Sequence, residues 1–196
     1  MSLRFSSRLR RGAAAFTLIE LLVVISIIAI LASLAFPAVN GAIDTAKRAK
    51  AKNDVVQIVT AIKAYQTEYG KLPLLSGSSG KYEENNDQLF NILRGSAGEG
   101  EQLSMNPRRI AFIEIRVSKG TKDGLGVNDG KFYDPWGKPY RIWLDDDYNN
   151  EVEDMYSGGW GVVPGTAIAA SSGKDLKGMT GSKGSGDAKD DVNSWQ

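Results

Sequence analysis

The chain has 196 residues, a nearly balanced charge of +1, and neither cysteine nor histidine. The absence of cysteine excludes disulfides and thiol nucleophiles, and the absence of histidine removes the commonest general base and the commonest zinc ligand. Most hydrolase sites are therefore excluded, and the length suits one modest domain with an anchor.

The charges are unevenly placed along the chain. Four arginines precede Glu20, the first acidic residue, and the chain without residues 1–15 carries 20 basic against 23 acidic residues. A net charge of −3 provides no basic surface for nucleic acid, so we expect no nucleic-acid partner. The four arginines are typical of a positive-inside signal, which predicts that the N-terminus stays in the cytoplasm.

A long apolar run follows the arginines. From Leu21 to Phe36 every residue is apolar except Ser26 and Ser33, and the wider segment 16–39 has 24 residues. As a helix this segment is about 36 Å long, enough to cross the roughly 30 Å of bilayer hydrocarbon. It is longer than the apolar core of a cleaved signal peptide, which has about 7–15 residues. The pattern predicts a single transmembrane helix over 16–39.

Glu20 lies directly against this apolar run. A carboxylate at a membrane centre costs roughly 2.5–3.5 kcal/mol, and ionisable groups in membranes usually have a partner. A plain membrane anchor has no need of a carboxylate at this position. Cleavage between Ala15 and Phe16 would leave a new α-amine one helical turn from Glu20, where it could neutralise the carboxylate of its own chain or of a neighbour.

The stretch FTLIELLVVI, Phe16 to Ile25, resembles the N-terminal signature of the type IV pilin superfamily. The resemblance implies that a prepilin peptidase cuts between Ala15 and Phe16 on the cytoplasmic side and methylates the amine of Phe16. It also implies that Glu20 meets the N-terminus of the adjacent subunit during filament assembly. Pro37 stands where many members carry a helix-kinking proline, whereas Ala15 replaces the family's usual glycine.

Beyond Pro37 the pattern becomes amphipathic. Apolar residues recur at three- and four-residue spacing up to Tyr69, which is typical of a helix with one buried face. Gly70 and Pro73 are stop signals. We therefore predict one helix from Phe16 to Tyr69, in which 16–39 is the membrane or filament-core half, and 40–73 is the amphipathic half with its exit. The apolar positions of the second half are Val55, Ile58, Val59, Ile62, Tyr65 and Tyr69.

The remaining residues, 74–196, form the predicted head, and residues 1–15 the cleaved leader. Together with the helix they predict an α+β fold, in which a long N-terminal helix packs on a small antiparallel sheet. In chain order the predicted elements are a loop at 74–82, a short helix at 86–93, a Gly-rich polar segment at 95–107, a strand at 110–117, a turn at 122–130, a strand ending at 144, a hairpin connection at 145–151, a strand at 153–163 and a polar loop at 165–196.

A second motif, DPWGKPY at 134–140, resembles the head signature of the major, G-type pseudopilin of type II secretion systems. We expect Trp136 and Tyr140 to be core and turn residues, with no ligand role. The corner from Tyr69 to Pro73 also resembles that family, whereas the region 76–130 is longer than the family leads us to expect.

This resemblance implies a subunit that polymerises into a periplasmic pseudopilus and drives export of folded proteins. The implied partners are further copies of the chain, the prepilin peptidase, minor pseudopilins and an assembly platform in the bacterial inner membrane. The alternative is a type IV pilin for adhesion, motility or DNA uptake. Many such pilins close a C-terminal loop with a disulfide, which this cysteine-free chain does not have. A third possibility is a tethered binding module that never assembles.

Four C-terminal aspartates are candidate metal ligands: Asp175, Asp187, Asp190 and Asp191. Calcium takes six to eight oxygens with flexible geometry, so one ion could order a loop that has little apolar content. In major pseudopilins a comparable loop that ends near a tryptophan binds structural calcium. The alternative is a solvated acidic tail. A weaker candidate, Asp145-x-Asp147-x-Asn149, matches only the start of an EF-hand loop and is better interpreted as a solvated turn.

We find no pattern for an enzyme in the chain. Gly77 to Gly80 lacks the lysine and serine of a phosphate-binding loop, and no pair of carboxylates is set in an apolar context. A structural subunit is therefore expected.

Overall fold

The structure is a computed structural model that describes residues 16–96, 100–118, 122–156, 161–179 and 186–195. The chain divides into two units between Ile43 and Asp44. The helices are α1 (Leu18–Tyr69), α2 (Asp87–Leu93) and α3 (Glu101–Met105), a 3₁₀ turn spans Gly186–Ala188, and the strands are β1 (Lys81–Tyr82), β2 (Val117–Ser118), β3 (Gly124–Gly126), β4 (Phe132–Tyr133), β5 (Arg141–Leu144), β6 (Glu151–Glu153), β7 (Val162–Pro164), β8 (Ala167–Ser171) and β9 (Val192–Asn193).

The long helix α1 has 52 residues and confirms the predicted helix to within two residues at its start. It ends because Gly70 adopts a left-handed φ of 68°, a conformation that costs glycine little. The Gly70 N–H still donates to the Gln66 carbonyl at 2.8 Å, which closes the last turn. Pro73 then prevents the helix from resuming.

The head half of α1 supplies one wall of the main hydrophobic core. Its buried apolar residues include Val55, Ile58 and Ile62, and each is fully inaccessible to solvent. Burial of each such side chain contributes about 1.5–3 kcal/mol. The Tyr65 hydroxyl is also buried, and it donates to the Met105 carbonyl at 2.8 Å, so its polar atom is satisfied. The predicted amphipathic face is therefore the face that packs.

The main sheet has the order β1-β5-β8-β9, and every pair in it is antiparallel. Side chains alternate between the two faces of a strand. Ile142 and Leu144 of β5 join the core built on α1, whereas Trp143 between them packs with Ile168 and Ala170 of β8 in a second cluster. The sheet is therefore covered on both faces, with α1 on one side only.

Two smaller sheets complete the described head. Strands β2, β3 and β4 form one, in which β2 and β3 run parallel, and β6 pairs with β7 as a hairpin. The predicted strand 110–117 is wrong over most of its length, since only Val117–Ser118 forms a ladder. Ile113 instead packs into the main core and the Phe112 N–H donates to the Leu93 carbonyl at 2.8 Å. Residues 110–116 are held by the packing of their side chains and not by a strand ladder. Their apolar pattern is the same in either case, so the sequence does not distinguish the two.

Other head predictions also need correction. The segment 95–107 contains α3, and the last third, predicted as a polar loop, contains β8 and β9. All five residues of β8 are buried. Small residues allow this: Ala167, Ala169 and Ala170 lack the branched side chains that usually indicate a strand, but they fit between two covered faces.

The segment 145–151 is a turn, as predicted, but it does not connect paired strands. Strand β5 pairs with β8, and β6 pairs with β7. The predicted strand 153–163 is likewise wrong, since it corresponds to parts of β6 and β7, and residues 157–160 between them lie outside the described residues.

The DPWGKPY motif is organised by Asp134, which is fully buried. One carboxylate oxygen of Asp134 accepts the N–H groups of Trp136, Gly137 and Lys138 at 3.0, 2.7 and 2.9 Å, and the other accepts the Ser171 hydroxyl at 2.6 Å. Burial raises the pKa of Asp134, while these donors act in the opposite direction. The aspartate thus closes the turn and ties it to β8.

Tyr140, the last residue of the motif, ties the same turn to α1. Its hydroxyl donates to Asp54 Oδ2 at 2.8 Å, and both residues are buried. The Lys50 ammonium lies 3.5 Å from the same oxygen and 2.5 Å from Asp123. Burial raises the pKa of Asp54, against the stabilising effect of Tyr140 and Lys50. As expected, Trp136 and Tyr140 are buried structural residues.

We expect Tyr140→Phe to reduce the free energy of unfolding by about 1.5–3 kcal/mol, because it leaves the buried Asp54 carboxylate without its uncharged donor. Urea denaturation of the full chain in detergent measures this loss. Tyr148→Phe is the matched control: Tyr148 is 53% exposed, and among the described residues its hydroxyl accepts the Leu72 N–H at 3.1 Å and contacts no buried carboxylate. Equal effects of the two substitutions would contradict the role of the Tyr140–Asp54 bond.

Candidate functional site

The N-terminal half of α1 presents an almost wholly apolar surface. Between Phe16 and Ile43 all sixteen large apolar side chains are exposed, by 46% to 82% of their area. By length and composition, α1 contains the described segment that could cross a membrane. A surface of this size and kind is incompatible with water, and therefore belongs in lipid or against other protein.

The helix begins in a reciprocal capping box formed by Thr17 and Glu20. The Thr17 N–H and hydroxyl donate to Glu20 Oε2 at 2.9 and 2.7 Å, and the Glu20 N–H donates to Thr17 Oγ1 at 3.2 Å. Two of the N–H groups that a helix start leaves unpaired are satisfied in this way. Glu20 therefore has a partner within its own chain, in addition to any partner that assembly supplies.

An apolar concavity of about 320 Å³ flanks the Glu20 carboxylate. Its other lining residues are Phe16, Ile19, Val23 and Val24. Phe16, the predicted new N-terminus, is 77% exposed, while Ala15 lies outside the described residues. The arrangement places an acceptor oxygen at the edge of an apolar depression, which suits a hydrophobic partner that carries a positive charge.

Pro37 lies inside α1. Because proline has no N–H, it cannot donate to the carbonyl of Ser33, so the helix has one hydrogen bond fewer at this point. The Ser33 hydroxyl donates to the Ile30 carbonyl at 2.7 Å, which uses a second backbone acceptor in the same turn. The turn before Pro37 therefore lacks one backbone hydrogen bond of a regular helix.

The predicted calcium ligands all lie in the C-terminal loop, but they are not equally placed. Asp190 accepts the backbone N–H groups of Lys174 and Asp175, the latter at 2.9 Å. Asp187 is paired with the Lys177 ammonium at 2.8 Å. Lys174 in turn contacts Asp44 of α1 at 2.5 Å, so this loop is fastened to the helix.

Asp191 is the one of the four whose two carboxylate oxygens are both inaccessible to solvent. The Tyr156 hydroxyl lies beside this carboxylate and acts to lower its pKa, but the hydrogen bond between them is not well formed. Burial and the charges of Asp190 and Asp175 raise the pKa of Asp191 to about 7. A buried carboxylate that feels the negative charge of other carboxylates is an environment that a cation would stabilise.

Within the described part of the chain, no three acidic side chains are grouped closely enough to hold a metal. The predicted ligand set is therefore not preformed, and Asp187 would have to exchange Lys177 for the ion. The weaker candidate at Asp145 is a hydrogen-bonded turn: its carboxylate accepts the N–H groups of Asn149 and Asn150 at 3.1 and 2.8 Å. This agrees with the interpretation of that segment as a turn.

Sequence reasoning missed two local roles in this region. The T-x-x-E spacing of Thr17 and Glu20 is a capping-box pattern and could have been recognised. The burial of the Asp191 carboxylate could not, because it depends on how β9 brings the loop back to the sheet.

Comparison with known proteins locates the chain in a family. A family model described as a prokaryotic N-terminal methylation motif matches residues 10–36. The type II secretion system core protein G of Aeromonas hydrophila is 30% identical over 133 residues, which cover 68% of this chain and 74% of that protein. This chain belongs to the type IV pilin superfamily.

Two further relatives match shorter segments. A type II secretion system core protein G of Klebsiella michiganensis is 39% identical over 64 residues, covering 33% of this chain and 45% of that protein. The type IV major alpha-pilin of Moraxella bovis is 41% identical over 70 residues, covering 36% of this chain and 43% of the pilin. In both cases the match spans less than half of the relative's length, and no solved structure matches the chain.

Membership of the superfamily confirms the predicted α+β fold class and the resemblance to the G-type pseudopilin. It identifies the chain as a structural subunit of pilin type, from a family of filament-forming oligomers that carry a prepilin processing motif. The apolar half of α1 and the motif fit a membrane-anchored, single-pass protein.

We expect Thr17→Val and Glu20→Ala each to weaken the first turn of α1 by about 1 kcal/mol, since each removes a capping partner. Amide hydrogen exchange in detergent micelles measures this as faster exchange at residues 18–20. Ser33→Ala is the matched control, because the Ser33 hydroxyl donates to a mid-helix carbonyl and takes no part in the helix start. Unchanged exchange in both cap variants would contradict the capping box.

Proposed function

We propose that the chain is the major-pseudopilin-like subunit of a type II secretion system. In this function it is inserted in the bacterial inner membrane with its head in the periplasm. It is cut between Ala15 and Phe16, methylated at Phe16, and added to a periplasmic filament that drives folded proteins toward the outer membrane. Minor pseudopilins and an inner-membrane assembly platform are the other expected partners.

The observation that carries this proposal is the exposed apolar half of α1 with Glu20 at its start. Assembly places this surface against other copies and gives the Glu20 carboxylate the α-amine of a neighbouring Phe16 as a counter-charge. The capping box defines what must change, because a neighbouring amine has to share or replace Thr17 at Glu20 Oε2.

A pseudopilin is favoured over a surface pilin by the extent of the matches. The Aeromonas match covers 133 residues and therefore necessarily extends past the 73 residues of leader, helix and exit into the head. The Moraxella match, at 70 residues, need not do so. The absence of cysteine also favours a pseudopilin, since many pilins close the C-terminal loop with a disulfide. A type IV pilin for adhesion, motility or DNA uptake is the second candidate.

The C-terminal loop supports a structural calcium ion as part of the proposal. The inaccessible carboxylate of Asp191 and the adjacent Asp190 fit a hard cation, with Asp175 and Asp187 as further ligands. A bound ion would neutralise the repulsion among these carboxylates and hold the loop to β8 and β9.

We expect the N-terminal peptide of protein from native membranes to begin at N-methylated Phe16, as measured by mass spectrometry. Glu20→Gln should then abolish filaments while keeping the helix start, because glutamine can accept the Thr17 hydrogen bonds but carries no charge. An intact leader, or normal assembly of Glu20→Gln, would contradict the mechanism. In the native host, deletion should stop protein secretion; loss of surface pili with secretion intact would favour the pilin.

We expect calcium at a hundredfold above its Kd to raise the thermal midpoint of the head by about 5–10 °C. Asp191→Asn should remove this increment, whereas the control Asp147→Asn should retain it. Without calcium, Asp191→Asn should instead raise the stability of the head at a pH at which the wild-type carboxylate is ionised. The folded pKa of about 7 lies above the ordinary 3.8, so stability falls as pH rises between these values.

With a chelator present, Asp191→Asn should therefore be more stable than the wild type at pH 8 and no more stable near pH 4. Scanning calorimetry at the two pH values checks this. An equal calcium response in the wild type and in Asp191→Asn would contradict the calcium site and favour the alternative that the acidic loop is a solvated tail.

A further inference from the structure

A cleft of about 450 Å³ lies between the head half of α1 and β9, the outermost strand of the main sheet. We refer to it as the basic cleft. Its wall on α1 consists of Thr45, Arg48, Ala49 and Lys52, which are spaced so that they lie on one side of the helix. Its opposite wall consists of residues 191–193.

The accessible charge of the basic cleft is positive. Arg48 is exposed and forms no ion pair with the described residues. The Lys52 ammonium donates to the Asn193 carbonyl at 2.8 Å, and this neutral acceptor does not cancel its charge. The acidic residue of the cleft, Asp191, has both carboxylate oxygens inaccessible to solvent. The cleft therefore suits an anion.

The residues around the cleft add to its positive charge. Residues 44–53 contain four basic residues and one acidic residue, Asp44. Asp44 is paired with the Lys174 ammonium at 2.5 Å. This hydrogen bond, together with the charges of Lys174, Lys47 and Arg48, holds the pKa of Asp44 below its ordinary value. The one carboxylate of the segment is thus already neutralised, and the segment keeps a net positive charge.

The basic cleft follows the apolar surface of α1 directly along the chain. The last exposed side chain of that surface is Ile43, and the Cα of Arg48 lies about 7–8 Å farther along the helix. Helical side chains lean toward the helix N-terminus, and long basic side chains extend toward the membrane surface. The headgroup layer beyond the hydrocarbon is roughly 5–7.5 Å thick. The Arg48 guanidinium therefore reaches the level of the lipid phosphates when the apolar half is inserted.

Basic residues at this end of a membrane segment run against the usual distribution of charge. Lysine and arginine within about 15–20 residues of a membrane segment favour the cytoplasmic side. The proposed function places this flank in the periplasm, yet residues 44–53 carry four of them. Their unfavourable effect on insertion is offset where they bind an anionic group on that side.

We infer that the basic cleft binds the phosphate of an anionic phospholipid of the periplasmic leaflet while the subunit is in the membrane. Arg48 is the main ligand, because its planar guanidinium can donate two parallel hydrogen bonds to a phosphate. Lys47 adds positive charge beside it. The occupant is a lipid because the cleft adjoins the membrane-inserted surface. This inference rests on the proposed function, of which it names a lipid contact made before assembly.

The test uses the full chain in nanodiscs of phosphatidylcholine with a minority of phosphatidylglycerol, and native mass spectrometry counts the lipids that stay bound. The ratio of phosphatidylglycerol to phosphatidylcholine should exceed that of the bilayer at least about fivefold, the effect of one basic residue near an anionic surface. Arg48→Gln should bring the ratio to within about twofold of the bilayer value, because the main phosphate ligand is lost.

Lys63→Gln is the matched control and should keep the enrichment. Lys63 is exposed on the same helix, about 22 Å farther from the membrane than Arg48. The leader, where retained, is the same in every variant, so the differences report the residue that was changed. Equal thermal midpoints in nanodiscs of phosphatidylcholine alone show that the variants fold.

A second measurement leaves the charges intact and decides the question if Arg48→Gln does not fold. The chain has no cysteine, so Ala46→Cys, beside the cleft and outside its lining, can carry a single nitroxide label. In bicelles of the same two lipids the label should broaden the phosphorus NMR signal of phosphatidylglycerol more than that of phosphatidylcholine. Ala64→Cys, exposed and about 27 Å farther along α1, should show no such preference.

A competition experiment separates membrane phosphate from soluble phosphate. Inorganic phosphate, added at the concentration of the lipid phosphate, should leave the enrichment of phosphatidylglycerol unchanged, because the lipid is held at the cleft by the bilayer. If inorganic phosphate abolishes the enrichment, the cleft is a site for soluble anions and the lipid assignment is wrong.

Failure of the inference is distinguishable from failure of the proposed function. If filaments form and depend on Glu20, but phosphatidylglycerol is not enriched or Arg48→Gln and Lys63→Gln retain it equally, the lipid site is wrong and the function stands. If a membrane-impermeant maleimide does not label Ala46→Cys in spheroplasts, the head does not lie in the periplasm. The proposed function then fails, and this inference falls with it.

Discussion

The apolar surface of the first half of α1 is the constraint on which the rest depends. Sixteen large side chains are exposed there, and shielding each from water is worth about 1.5–3 kcal/mol. The described contacts of this half leave these side chains exposed, so they supply none of that stabilisation. The chain therefore has a stable state only where lipid or other helices cover it. Because the same requirement is met by either environment, the segment can pass from one to the other at little net cost.

Polar side chains determine where the apolar helix begins and how helix and sheet are joined in the head. Thr17 and Glu20 begin the helix without leaving donors unpaired, so a charged residue is tolerated beside an apolar run. In the head, Asp54 meets Tyr140, and Asp134 meets Ser171. Each of these buried carboxylates requires particular partners at particular positions before its burial is tolerable. They make the DPWGKPY turn a connector between helix and sheet.

The sequence predicted the elements that local rules govern. The bounds of α1, the short helix α2 and strand β5 follow from periodicity, from the left-handed Gly70 and from the turn before Arg141. Prediction from the sequence failed where tertiary packing determines the secondary structure. Residues Ile110 to Arg116 pack without a ladder, and the alanine-rich β8 becomes a central strand because both of its faces are covered. For the candidate site, Glu20 and the aspartate loop were identifiable by residue type. The burial of the Asp191 carboxylate was not, because it depends on contacts across the sheet.

The late position of β8 has a consequence for biosynthesis. This strand lies between β5 and β9 in the main sheet, yet it begins almost one hundred residues after the end of α1. At roughly 5–20 residues per second, the ribosome needs about 5–20 s to supply it after α1 is complete. During that interval the inner face of α1, with Val55 and Ile62, has no sheet to pack against. Loop closure over such a separation is also slow. Until its head closes, a nascent chain of this protein therefore exposes apolar surface of the kind that holdase chaperones bind.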